Sequence, residues 1–162
     1  MNEKKLLVYL SSGGTCRDPM AMAITEQILQ VKAPDTNVRV VGGALIVLSN
    51  NEVSYSARNA IKALYGEDLL AKYAPKLVTS ELLEKADLVL VMDEELMSSC
   101  KNDLPDAKTH LFKKYFGFEG DVIDPWPDRR DSESLRKYKA TANEIKSTIE
   151  YGIDKLIKAL EV

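Results

Sequence analysis

Near the start of the chain, an apolar run passes through small residues into a helical pattern: Leu6-Leu7-Val8-Tyr9-Leu10-Ser11-Ser12-Gly13-Gly14-Thr15-Cys16-Arg17-Asp18-Pro19. The apolar run indicates a buried strand, and Pro19 suits the first turn of a helix. A strand that turns directly into a helix aims backbone N–H groups and the helix dipole at one point. Arg17 adds a planar guanidinium that suits a phosphate-like oxyanion. Residues 11–17 therefore predict an anion-binding loop.

The rest of the chain alternates strand-like and helical patterns. Strands are predicted at residues 6–10, 38–41, 88–92 and 109–112, and helices at residues 19–31, 56–65, 80–85, 94–101 and 132–160. This alternation predicts one α/β domain over residues 1–162, with a four-stranded parallel sheet flanked by helices. Ligands of such sheets bind beyond the carboxyl ends of the strands, and the anion-binding loop follows the end of the first strand.

The last predicted helix has the clearest periodicity. Its apolar residues recur at steps of three and four, which predicts one continuous helix with a core-facing stripe. The stripe consists of Leu135, Tyr138, Ala142, Ile145, Ile149, Ile153, Leu156 and Leu160.

Composition excludes several classes of protein. The 162 residues are 45% hydrophobic and 29% charged, which is typical of a single soluble globular domain. The net charge of -3 argues against a protein that binds nucleic acid or an anionic membrane, because such proteins carry an excess of positive charge. The first residues hold too few apolar side chains for a signal peptide or a membrane span, so we expect a cytoplasmic location.

Only two cysteines and one histidine are present: Cys16, Cys100 and His110. They form no metal-binding pattern, so we expect neither a metal nor another cofactor. A structural disulfide is not expected in a reducing compartment.

Residues 11–19, together with the later run Asp124-Pro125-Trp126, resemble the low-molecular-weight protein tyrosine phosphatase family. The signature of that family is Cys, five residues, Arg and then Ser-Pro after the first strand, with an Asp-Pro-aromatic segment late in the chain. The residues that match the loop signature are Gly13, Thr15, Cys16, Arg17 and Pro19. The order of the strands and helices fits as well, so the resemblance covers nearly the whole chain.

The chain departs from the family pattern at three loop positions. Ser11 stands where the family has its nucleophilic cysteine, Gly14 where it usually has Asn, and Asp18 where it has Ser. The resemblance implies that residues 12–18 bind phosphate, and that Ser11, Arg17 and Asp124 occupy the catalytic positions. The phosphate-binding residues would be Ser12, Gly13, Gly14, Thr15, Cys16, Arg17 and Asp18.

The resemblance also implies walls for the substrate pocket. Trp126 would form one apolar wall, and Val47 or Leu48 falls near the position where the family often carries a pocket aromatic. Thr15 matches the branch of the family that dephosphorylates arginine.

A serine in this loop changes the expected chemistry. A thiol beside an arginine and a helix N-terminus loses its proton readily, whereas a serine hydroxyl stays protonated. We therefore expect binding of a phosphorylated protein or a free phosphate-like oxyanion, with hydrolysis weak or absent. Asp18 does not repair the loss, because an ordinary carboxylate is a poor base for an alcohol and repels phosphate.

Several alternatives remain open at this level. The serine is either native, as in a pseudophosphatase, or a Cys-to-Ser exchange in an active phosphotyrosine or phosphoarginine phosphatase. Asp18 favours a native serine, because an aspartate would repel a thiolate. A non-catalytic scaffold is a further possibility. An arsenate reductase is disfavoured, because it needs a cysteine at the start of the loop and two more downstream, where only Cys100 is found. The sequence does not fix the oligomeric state.

Overall fold

A computed structural model describes residues 4–13, 15–45 and 52–161 of the chain. Its sheet contains four parallel strands in the order β2-β1-β3-β4. The strands are β1 (Lys5–Ser11), β2 (Val38–Ala44), β3 (Leu88–Val91) and β4 (Thr109–Leu111). The parallel sheet predicted from the alternating pattern is thus confirmed, with the first strand at its centre.

Seven α-helices accompany the sheet in the described part of the chain. They are α1 (Arg17–Lys32), α2 (Tyr55–Tyr65), α3 (Ser80–Lys85), α4 (Glu94–Ser99), α5 (Phe112–Tyr115), α6 (Ser132–Tyr151) and α7 (Ile153–Leu160). Two single 3-10 turns, Lys101–Asp103 and Asp106–Lys108, precede β4. Among these described helices, none is both long and apolar enough to cross a bilayer.

Successive side chains of a strand point to opposite faces of the sheet. Alternate residues of the central strands therefore pack into two separate hydrophobic cores, one on each face. Leu7 and Tyr9 join the larger core, which α1, α2, α6 and α7 complete. Leu6, Val8 and Leu10 join the smaller core beneath α3 and α4. Helices therefore cover both faces, as parallel strands with continuous apolar sequence require.

Most predicted boundaries lie within about three residues of those in the structure, and two of the differences have a clear physical cause. The segment predicted as one helix over residues 132–160 is divided at Gly152, whose backbone leaves helical geometry with φ -108 and ψ 19. Glycine has a low helix propensity, which favours a break at this position. No larger residue fits here, because a Cβ would come within 2.6 Å of the Phe116 ring. The other is the end of the fourth strand, because Phe112 begins α5 instead of continuing β4. The apolar stripe itself is confirmed, with only Leu135 partly exposed.

Candidate functional site

The loop predicted to bind an anion joins the carboxyl end of β1 to the first residue of α1. Ser11 ends the strand and Arg17 begins the helix, and each side chain is only 3% exposed. Between them, Ser12 is exposed, and Gly13 and Thr15 are half-buried. Gly14 lies outside the described residues. The Thr15 carbonyl accepts a 2.9 Å hydrogen bond from the Ser54 backbone N–H, which ties the loop to the start of α2.

Arg17 is oriented by groups from two other segments. Its Nη1 donates to Asp93 Oδ2 at 2.6 Å and to the Val122 carbonyl at 2.8 Å. Asp93 is itself fixed as the N-cap of α4, because its Oδ1 accepts the Leu96 backbone N–H at 2.8 Å. Arg17 Nη2 lies 3.8 Å from Asp124 Oδ2. The guanidinium is therefore held rigidly at the edge of the sheet where the strands end.

Ser11 and Asp18 form a direct hydrogen bond inside the protein. The Ser11 hydroxyl donates to Asp18 Oδ1, and Asp18 is completely buried. The Tyr73 hydroxyl lies 3.3 Å from Asp18 Oδ2 and 3.2 Å from the Gly42 carbonyl, and donates toward both. A Cβ at Gly42 would come within 2.8 Å of both Asp18 Oδ2 and the Tyr73 hydroxyl, so only glycine leaves room for this arrangement.

The surroundings of Asp18 alter its acidity. Burial raises the pKa of Asp18 from 3.8 to about 7, and the opposing effects are smaller. Those effects are the hydrogen bonds from Ser11, the backbone and Tyr73, and the charge of Arg17. Asp18 therefore gains or loses its proton near neutral pH, unlike an ordinary aspartate.

Cys16 faces the protein interior. Its Sγ lies 3.1 Å from the Tyr138 hydroxyl, 3.4 Å from Thr15 Oγ1 and 4.0 Å from Ser54 Oγ. Burial raises the pKa of Cys16, and its hydrogen bonds only partly offset this. Cys100 packs in the core on the opposite face of the sheet. The two cysteines are both free and occupy separate cores.

Asp124 and Trp126 lie at the open side of the loop. Asp124 is 41% exposed, and its Oδ1 accepts the Trp126 backbone N–H at 3.1 Å. Trp126 is 59% exposed and lines a groove of about 260 Å³ beside Thr15, Tyr55 and Arg130. Val47 and Leu48, proposed as another wall, lie outside the described residues.

The charged segment after Trp126, residues 127–131, is anchored to α2. Asp128 accepts the backbone N–H of Ser56 at 2.7 Å and its hydroxyl at 2.6 Å. Burial works against its charge, yet these bonds, the Arg130 backbone N–H and the Arg130 charge lower the pKa of Asp128. The Arg130 guanidinium lies over the Tyr55 ring, 5.6 Å from its centroid. This anchoring fixes the position of Trp126 relative to Thr15.

Sequence reasoning missed three partners of the loop. It placed Tyr138 only in the core-facing stripe and assigned neither Asp93 nor Tyr73 to the site. Asp93 comes two residues after the end of β3, so its place at the carboxyl edge of a parallel sheet was a usable signal. Nothing in the irregular segment around Tyr73 points to Asp18.

A buried arginine and a loop between the first strand and first helix of a parallel sheet place the chain among the α/β proteins that bind anions at the carboxyl ends of their strands. The family model "Low molecular weight phosphotyrosine protein phosphatase" matches residues 6–161. The chain therefore belongs to the low-molecular-weight phosphotyrosine protein phosphatase family.

Individual relatives agree with this assignment. The protein-arginine-phosphatase of Bacillus subtilis is 29% identical over 146 residues, which cover 88% of this chain and 91% of the relative. A low-molecular-weight protein tyrosine phosphatase from T. tengcongensis superposes with a TM-score of 0.81 at 29% identity, covering 94% of this chain and 99% of that one. A Cys-to-Ser mutant of the YwlE arginine phosphatase, with a phosphorylated active site serine, gives 0.75 at 28% identity, covering 94% and 95%.

Proposed function

We propose that this protein binds a phosphorylated protein side chain, or a free phosphate-like oxyanion, at residues 11–17, and that its phosphomonoesterase activity is weak or absent. The observation that carries the proposal is the pairing of a buried, oriented Arg17 with an alcohol, Ser11, at the start of the loop. Arg17 supplies the positive charge, and Ser11 stands where the family signature has its nucleophilic thiol.

Binding is supported by the preorganisation of Arg17. Asp93 and the Val122 carbonyl engage Nη1, whereas Nη2 is directed to the open side, 3.8 Å from Asp124. A guanidinium fixed in this way loses little entropy when it forms charge-assisted bonds to an oxyanion. The first turn of the 16-residue helix α1 adds its dipole at the same place.

Weak turnover follows from the nucleophile. An alcohol in this loop stays protonated where a thiol would ionise, and removal of the nucleophile in covalent catalysis costs several orders of magnitude. Cys16 offers no substitute, because its Sγ is buried against Tyr138 and its pKa is raised by burial. Asp124 would act as the general acid for any residual reaction, from the position beside Arg17 Nη2.

A second candidate function is that of an active phosphotyrosine or phosphoarginine phosphatase, with Ser11 as an exchange for cysteine. The name of the Bacillus subtilis relative and the Cys-to-Ser mutant of YwlE support this candidate. The Thr15 side chain, which lines the groove beside Trp126, supports phosphoarginine as the substrate. The buried carboxyl of Asp18 supports the first proposal instead, since it would oppose a thiolate at position 11.

The deciding experiment measures binding and turnover separately. Calorimetric titration with phosphate and vanadate should give saturable binding that Arg17→Ala abolishes and Arg136→Ala, an exposed arginine of α6, leaves intact. Turnover of p-nitrophenyl phosphate should be negligible for the protein and low for Ser11→Cys. Brisk turnover by Ser11→Cys would favour the second candidate. Equal affinity for phosphorylated and unphosphorylated peptides would instead indicate a scaffold and overturn both.

A further inference from the structure

We propose that Ser11 is a phosphoryl acceptor, which takes the phosphoryl group of a bound phosphorylated side chain with Asp18 as its base and retains it as phosphoserine. The inference rests on the proposed function, because the loop must first bind the donor. Ser11 would thus be phosphorylated by the protein itself, without a separate kinase. The starting observation is the buried hydrogen bond in which the Ser11 hydroxyl already points its proton at Asp18 Oδ1.

The geometry of Asp18 suits the role of a proton acceptor. Its Oδ1 contacts the Ser11 hydroxyl directly, while Oδ2 faces the Tyr73 hydroxyl. Tyr73 is held in turn by the Gly42 carbonyl, and the absence of a side chain at Gly42 leaves space for both groups. The carboxyl group is therefore fixed, with one oxygen reserved for Ser11. A base already in hydrogen-bond contact with its alcohol needs no rearrangement to accept the proton.

Burial removes the two objections that sequence reasoning raises against this pair. An ordinary carboxylate is too weak a base for an alcohol, but burial raises the pKa of Asp18 to about 7, close to the optimum for general base catalysis. An ordinary carboxylate also repels phosphate, whereas near neutral pH part of the Asp18 population is protonated; the donor binds to this form with little repulsion, and Asp18 then loses its proton to act as the base. The ionisable groups that face it in the described structure are Arg17, on its own helix, and Tyr73. From the strands it meets the Ser11 hydroxyl and lies against Gly42.

The transfer is balanced in atoms and electrons. A lone pair of Ser11 Oγ forms the new O–P bond, and the P–N or P–O bond to the donor side chain breaks with its electron pair. The Ser11 proton passes to Asp18 Oδ1. The departing nitrogen or oxygen takes a proton from Asp124, which lies 3.8 Å from Arg17 and is open to solvent. Arg17 balances the charge of the phosphoryl oxygens during the transfer.

The product persists because its hydrolysis needs a much poorer leaving group. A phosphocysteine releases a thiolate, whereas phosphoserine must release an alkoxide or an alcohol. The reaction therefore stops after one transfer per molecule. The same comparison defines the donor class: a phosphoryl group on a protonatable guanidinium nitrogen or on an aryl oxygen transfers downhill to serine. An alkyl phosphate such as free phosphoserine does not transfer at a measurable rate, because it must release the same poor alkoxide leaving group that makes the product persist.

The test is incubation of the full chain with phosphoarginine, p-nitrophenyl phosphate, free phosphoserine or inorganic phosphate, followed by intact mass measurement and peptide mapping. We expect one phosphoryl group per chain, mapped to Ser11, with at least one of the first two donors and with neither of the others. Ser11→Ala should abolish incorporation, whereas Ser147→Ala, an exposed serine of α6, should not. Asp18→Asn should slow incorporation by about 100-fold or more, which is the usual contribution of a general base. Asp87→Asn, at the opposite end of β1, is the matched control.

The pH dependence separates a base from a structural role. At saturating donor, the rate for the unaltered chain should rise with pH through the pKa of Asp18, and this rise should be lost in Asp18→Asn. Absence of phosphoserine despite intact vanadate binding would overturn this inference and leave the proposed function standing. Absence of vanadate binding would overturn both. Incorporation that survives Ser11→Ala, or a rate unaffected by Asp18→Asn, would also contradict the assignment.

Discussion

Arg17 and Asp93 form a 2.6 Å ion pair that joins the first residue of α1 to the N-cap of α4. The guanidinium is almost fully buried, and the carboxylate is about one-fifth exposed. Because both of its oxygens are engaged, Asp93 fixes Arg17 and starts a helix at the same time. The Asp93 side chain therefore links the anion site to α4, which packs on the smaller core.

Substitution of Asp93 should separate these two roles. Asp93→Ala should lower the free energy of unfolding by about 3–5 kcal/mol, because it leaves Arg17 buried without its nearest charged partner. Asp93→Asn should retain the helix cap and be about 1 kcal/mol less damaging. Urea denaturation measures both variants.

Added phosphate provides the control for the Asp93 prediction. A bound oxyanion gives Arg17 a new negative partner, so phosphate should stabilise Asp93→Ala more than it stabilises the unaltered chain. An equal effect of phosphate on both would contradict a role of Asp93 at the anion site.

Stability should depend on pH through Asp18. Because the pKa of Asp18 rises from 3.8 to about 7 on folding, the unaltered chain loses stability as pH increases between these values. Asp18→Asn cannot ionise, so its stability relative to the unaltered chain should improve by about 2–3 kcal/mol between about pH 5 and about pH 8. Denaturant titration at the two pH values measures the change. Asp18→Ser, the residue of the family signature, should show the same pH trend, and parallel curves for all three proteins would contradict the prediction.

The space left by Gly42 should be needed for this behaviour. In Gly42→Ala the new Cβ would lie 2.8 Å from Asp18 Oδ2 and from the Tyr73 hydroxyl, so one of them must move. We expect a loss of about 1–3 kcal/mol in unfolding free energy, as for other overpacked sites. The pH dependence assigned to Asp18 should become smaller, because displacement exposes the carboxyl group to water.

Gly43→Ala is the matched control for Gly42→Ala. Its Cβ would press against Val78 in the smaller core, on the other face of the sheet. It should therefore destabilise the protein without altering the pH dependence. An identical pH profile in Gly42→Ala and Gly43→Ala would show that the space at Gly42 does not control Asp18.

The sequence predicted the parts of the site that depend on local order. Ser11 and Arg17 lie close together because one strand, one turn and one helix connect them, and that pattern is visible in consecutive residues. Asp93 reaches Arg17 only because β3 pairs with β1, which no local pattern states. Tyr73 and Asp128 lie in segments without periodicity, and their partners are 55 and 72 residues away along the chain. Such contacts depend on the tertiary fold, so propensity and spacing could not predict them.

The two cysteines should react slowly and separately in the native protein. Burial raises the pKa of both Cys16 and Cys100, and reactivity requires an accessible thiolate. Alkylation followed by mass measurement should show little labelling until urea unfolds the chain. Oxidation should give no Cys16–Cys100 disulfide, because the residues belong to cores on opposite faces of the sheet. Thiol-coupled reduction of arsenate should consequently be absent.

Tyr138→Phe is the control for the cysteine prediction. It removes a hydrogen-bond partner of Cys16 but leaves the thiol buried, so slow labelling should persist. Rapid labelling of the native chain, or a Cys16–Cys100 disulfide, would contradict the buried position of these thiols. Either result would favour arsenate reduction as an alternative function.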